Sequence, residues 1–184
     1  MEDVNKLDII ELRNLFEKNG YAFCIASNFA EVCWYEKAGI EYAEPGDDLG
    51  RSMMVIAQRD AFHKVFDAPN KNVATMYHYK AKHDKGKVTV VSRFAGRKWN
   101  KYLLDKFSDT FELSMPDGTK EMIRLITPVG CMMMRYRSWS VMQPEMQKQY
   151  QTMIGKSIER LQLIAKLDRT TAAFFLKTAK DFKN

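Results

Sequence analysis

Hydrophobic positions along the chain change period repeatedly, and each change marks a new element. Val4, Leu7, Ile10 and Leu15, with their neighbours Ile9, Leu12 and Phe16, recur at helical spacing until Asn19-Gly20 supplies a stop. Residues 21–27 form a short apolar run suited to a buried strand, and residues 29–37 a short helix closed by Gly39. Pro45-Gly46-Asp47-Asp48 reads as a loop, residues 52–57 as another buried strand, and residues 60–66 as a helix ending before Pro69. Residues 73–81 and 87–94 read as a hairpin joined through His83-Asp84-Lys85-Gly86.

Trp99, Leu103, Leu104 and Phe107 place a helix over residues 97–107. Strands at 110–114 and 121–126 flank Pro116-Asp117-Gly118, the clearest turn in the chain. The methionine-rich run 131–139 reads as a further strand with Arg135, Arg137 and Trp139 alternating along it. From Gln143 the period turns helical, with Pro144 and Glu145 fitting a first turn, and residues 170–182 form a last helix. Helices and strands in irregular order predict an α+β fold with a mainly antiparallel mixed sheet and a C-terminal helical pair, residues 143–184. The 184 residues are expected to form one domain.

Composition adds a packed core, with 46% hydrophobic and 28% charged residues. No secretory signal or apolar stretch of membrane-spanning length is present in this sequence, so a cytoplasmic protein without membrane partners is expected. Cys24, Cys33 and Cys131 are odd in number and set among apolar residues, which predicts reduced, buried thiols and no metal site.

Charge changes the picture more. Residues 1–50 carry 11 acidic and 4 basic side chains, whereas residues 51–184 carry 12 and 25. Between residues 78 and 106 lie nine basic residues against two acidic ones, interleaved with Tyr77, Tyr79, Phe94, Trp99 and Tyr102. Cations neutralise phosphates and aromatic faces stack on bases. The leading expectation is therefore a non-enzymatic, basic protein that binds DNA or RNA or serves in assembly. Its surface is assigned to Lys80, Lys82, Lys85, Lys87, Arg93, Arg97, Lys98, Trp99, Lys101 and Tyr102, extended by Arg135 and Arg137. A protein-only scaffold or homo-oligomer subunit is the bland alternative, with these lysines an ordinary solvated face.

The stretch from the first helix through residues 21–27 and on to Asn28, Tyr35, Lys37, Gly39 and Ile40 resembles the C-terminal half of GNAT N-acetyltransferases, over residues 4–57. Glu31 stands where that family usually has a small residue. The resemblance implies an acyl-coenzyme A-dependent acetyltransferase with acetyl-coenzyme A as cofactor, Asn28 in the site and Tyr35 as the acid that protonates the leaving thiolate. The family's pyrophosphate-binding turn finds only a faint counterpart at residues 152–157, downstream instead of upstream.

Two further clusters carry less. Glu41, Glu44, Asp47 and Asp48 crowd an acidic stretch, but the strand after it, Met53-Met54-Val55-Ile56-Ala57-Gln58, lacks the Glu-x-Lys pair of a metal-dependent nuclease. His63, His78 and His83 have no diagnostic spacing.

Overall fold

The computed structural model describes residues 3–22, 24–41, 52–58, 61–66, 76–80 and 87–183. Among these residues the chain forms seven helices and six strands: α1 (Asp3–Lys18), β1 (Cys24–Ala26), α2 (Asn28–Ala38), β2 (Ser52–Ala57), α3 (Ala61–Phe66), β3 (Met76–Lys80), β4 (Lys87–Phe94), α4 (Lys98–Lys106), β5 (Ser108–Ser114), β6 (Lys120–Ile126), α5 (Pro128–Ser140), α6 (Pro144–Ile164) and α7 (Arg169–Asp181). The fold is α+β, as the pattern predicts.

The strands form one mixed sheet in the order β3-β4-β2-β1-β6-β5. β1 is its short centre. It runs antiparallel to β2, with Ala26 opposite Met54, and parallel to β6, with Ile25 opposite Leu125. All three β1 residues are buried, which fits a strand covered on both faces and explains its unbroken apolar run. β2 and β4 are parallel, while β3–β4 and β5–β6 are antiparallel hairpins.

The helices cover the sheet with the faces their spacing dictates. Ile9, Leu12 and Phe16 of α1 are fully buried, one position per turn. Leu103 of α4, Met132 of α5 and Leu161 of α6 enter the same core beside Ile25, Ile56, Ile123 and Leu125. No helix among the described residues is long and apolar enough to cross a membrane.

One element is corrected. Residues 131–139, expected as a strand, lie inside helix α5. Its start signals are in the sequence: Thr127 caps it, its hydroxyl accepting from the Gly130 N–H, and Pro128 occupies the first turn. The first half of the helix, Gly130 to Met133, is buried all round, so no polar face interrupts the run and its period is hidden. Methionine is a good helix former, and that preference wins. Close packing holds the helix in place: a Cβ on Gly130 would lie 2.5 Å from Ile126 Cγ2 and 2.9 Å from Phe107 Cβ.

The three cysteines are free and buried, as expected. Burial pushes the Cys24 and Cys33 thiols up from 9.0 to about 12, with Arg124 pulling slightly the other way on Cys24, and it raises Cys131 as well. The unfolded chain therefore releases these protons at lower pH than the folded one. Their contribution is complete below pH 9.0 and declines as pH rises toward about 12. The urea midpoint is expected to fall steadily above pH 9, and native protein at pH 8 is expected to leave all three thiols unlabelled by a disulfide reagent. Rapid labelling of native protein would contradict this burial.

Candidate functional site

The turn from β1 into α2 opens the site. Ser27 has φ 60° and ψ −144°, a region occupied almost only by glycine, and its side chain makes no capping hydrogen bond to α2. The first amides of α2 thus lack a side-chain cap at the sheet end where Ala26 pairs with Met54.

One turn into α2, Glu31 is 1% exposed. A carboxylate so buried is tolerated only with strong partners. Arg135 of α5 supplies them, with Nε donating to Oε1 at 2.7 Å and Nη2 donating to Oε2 at 3.0 Å, a bidentate pair. Ser157 of α6 donates to Oε2 at 3.0 Å, and Tyr35, one helical turn after Glu31, donates to the same oxygen at 3.3 Å. The Tyr35 and Ser157 hydroxyls are themselves 3.3 Å apart. Burial opposes the charge on Arg135, but the Glu31 carboxylate and its hydrogen bonds outweigh that and hold the guanidinium pKa above its ordinary value. Burial first, and the Glu31 charge second, keep the Tyr35 phenol protonated well above its ordinary range.

Above this cluster lies a cavity of about 400 Å³. Ser27, Glu31 and Met54 form its floor, Arg97, Trp99 and Asn100 of the α4 end one wall, and Met134, Arg135, Arg137, Ser138, Val141, Met142, Tyr150, Met153 and Ile154 the other. Arg97 is exposed at its edge, and its side chain makes no hydrogen bond or ion pair with any described residue. Arg137 is engaged: its Nη1 donates to the carbonyls of Ala179 at 2.6 Å and Phe182 at 3.0 Å, and its guanidinium lies 4.8 Å from the Trp99 ring centre.

The described residues of the expected basic surface fall in different places. Arg97, Lys98 and Lys101 are exposed on or beside α4, although Lys101 is paired with Asp105 at 2.9 Å. Trp99 is buried and packs on Phe182 and Tyr102, and Tyr102 packs in turn on Phe107 and Phe182. These ring contacts tie α4 to the chain just past α7. Arg135 and Arg137 sit on a helix and point to Glu31 and to the end of α7. Lys82 and Lys85 lie outside the described residues. Lys80, Lys87 and Arg93 lie on the described backbone of β3 and β4, with their side chains outside the description.

Asn28 opens α2, and Tyr35, the acid of the acetyltransferase resemblance, is 1% exposed with its hydroxyl in the Glu31 cluster. Residues 152–157 are interior to α6 and form no turn. Glu41 is exposed, and Glu44, Asp47, Asp48 and His83 lie outside the described residues. Glu31 and Ser157 were missed as site residues. The signal for Glu31 was a lone acid inside the apolar run Phe29-Ala30-Glu31-Val32-Cys33, where burial demands a cation.

No family model and no curated protein matches the chain. A crystal structure of an antigenic nucleotidyltransferase-like protein from Paracoccidioides brasiliensis is similar, with a TM-score of 0.50 over 95% of this chain and 92% of that one, at 12% identity. At that identity the likeness is one of fold. Together with the inward-facing Arg135, Arg137 and Trp99, it overturns the expectation of a non-enzymatic nucleic-acid-binding protein.

The strain at Ser27 gives a direct test of the turn. Ser27→Gly relieves a conformation that costs about 1–3 kcal/mol, offset in part by about 0.5–1 kcal/mol of added unfolded-chain entropy. A gain of about 1 kcal/mol in urea denaturation is expected, and a loss would show that the turn is not strained.

Proposed function

We propose that the chain handles nucleotides, binding a nucleoside phosphate in the cavity at the β1–α2 turn. The observation that carries this reading is Arg97, a guanidinium whose side chain has no described partner at the edge of a cavity that, among the described residues, holds three arginines and a single carboxylate. That carboxylate, Glu31, is already matched by Arg135, so the cavity has an excess of positive charge suited to a phosphate. Four methionines, Met54, Met134, Met142 and Met153, together with Tyr150, give the lining a deformable apolar surface on which a base fits. The fold shared with a nucleotidyltransferase-like protein supports the same ligand class.

Nucleotidyl transfer commonly uses a pair of divalent cations held by carboxylates. Among the described residues no group of three His, Cys, Asp or Glu side chains is placed to hold a metal ion, and Glu31 is engaged. The described residues do not fit such a pair, and no step is derived through one. What they supply is recognition: Arg97 neutralises phosphate charge, and Ser27, at the N-terminal end of α2, lines the cavity.

Calorimetric titration of the full chain with ATP, GTP, CTP and UTP tests this. At least one is expected to bind, more weakly as salt rises, and Arg97→Ala is expected to weaken binding about tenfold or more, the loss of a charge-assisted contact. No binding by any of the four, or an Arg97→Ala variant that binds as the parent does, would overturn the reading. Acetyl transfer from acetyl-coenzyme A, abolished in Tyr35→Phe, would overturn it in favour of the acetyltransferase resemblance.

A further inference from the structure

The two walls of the cavity meet where Arg137 of α5 lies over Trp99 of α4, the guanidinium 4.8 Å from the ring centre. A third element reaches both residues. Phe182, which follows α7, packs its ring 5.1 Å from Trp99 and 5.1 Å from Tyr102, and the Arg137 guanidinium lies 5.8 Å from it. Arg137 Nη1 also donates to the carbonyls of Ala179 and Phe182, at 2.6 and 3.0 Å. The last carbonyls of a helix have no donor within it, so a cation from the cavity wall serves as the cap of α7.

The packing of α7 is otherwise light. Its buried residues are Ala172 and Ala179, which carry the smallest apolar side chain. Phe174 is exposed, while Phe175, Leu176 and Phe182 are half-buried against the core. An element with so little buried apolar area opens locally before the rest of the fold. The contacts at its end therefore matter to the cavity as well as to the helix. An arginine held by two carbonyls and two rings has given up its rotamer freedom before a ligand arrives, and a wall fixed in this way needs no reordering on binding.

We propose that the segment at Phe182 is a strap that holds the two cavity walls together, so that nucleotide binding and docking of the end of α7 favour each other. The proposal rests on the nucleotide reading of the cavity. With the strap docked, Arg137 stays over Trp99 and the cavity keeps its shape. With it undocked, Arg137 loses two carbonyl acceptors and Trp99 loses the ring that buttresses it. A nucleotide that prefers the first arrangement shifts the strap toward docking by the same factor by which docking tightens the nucleotide.

Hydrogen exchange of the full chain, alone and saturated with whichever of ATP, GTP, CTP and UTP binds most tightly, tests the coupling without any substitution. Exchange at the amides of residues 179–181 is expected to slow about fivefold or more on binding. It is also expected to slow more there than in β5 and β6, none of whose residues lines the cavity. Phe182→Ala is expected to weaken nucleotide binding about fivefold, and Phe182→Tyr, which keeps the ring, to bind as the parent does. A nucleotide that binds while residues 179–181 exchange unchanged, or slow no more than β5 and β6, would overturn the strap and leave the nucleotide reading standing. So would a folded Phe182→Ala variant that binds as the parent does, or a loss in Phe182→Tyr equal to that of alanine. Binding of no nucleotide at all would remove both.

Discussion

The structure depends on the pairing of Glu31 with Arg135. Glu31 lies on a helix whose other inward positions are Phe29, Ala30, Val32, Cys33 and Tyr35, and an unmatched carboxylate there would be strongly destabilising. Arg135 reaches it from α5, about a hundred residues further along the chain, and Ser157 reaches it from α6. Three helices from the two halves of the chain are thereby held at one point. Removing one member of such a pair leaves a buried charge and costs about 3–5 kcal/mol, far more than any surface pair such as Lys101–Asp105. The same contact fixes the floor of the cavity.

Most of the fold was legible because most elements have one wet face. α1, α4, α6 and α7 alternate apolar and polar positions at helical period, and the turn at Asp117-Gly118 pins the β5–β6 hairpin. The short central β1 was legible as an apolar run of strand length. α5 was not, because burial on all sides of its first half removes the polar face from which period is read. Reading it as a strand also put Arg135 and Arg137 on one exposed surface, whereas a helix carries them into the interior.

The site was legible as composition and illegible as geometry. A count of lysines, arginines and aromatics cannot separate a ring that stacks on a ligand from one that ties a helix to a distant part of the chain, and Trp99 and Tyr102 do the latter with Phe182. Nor does it separate a free guanidinium from an engaged one. Of the three arginines on the cavity wall, Arg135 answers a carboxylate, Arg137 answers the last carbonyls around α7, and Arg97 is left to the solvent. The residue that organises the site, Glu31, is the position at which the chain departs from the acetyltransferase pattern it otherwise resembles.

A double-mutant cycle on this pair, read as urea unfolding free energy for Glu31→Gln, Arg135→Met and the two combined, measures the claim most directly. Each single change is expected to lose about 3 kcal/mol, and the double variant about as much as either alone, a coupling of about 3 kcal/mol. Additive losses would contradict the account, since they would mean that the two groups stabilise the fold without acting on each other.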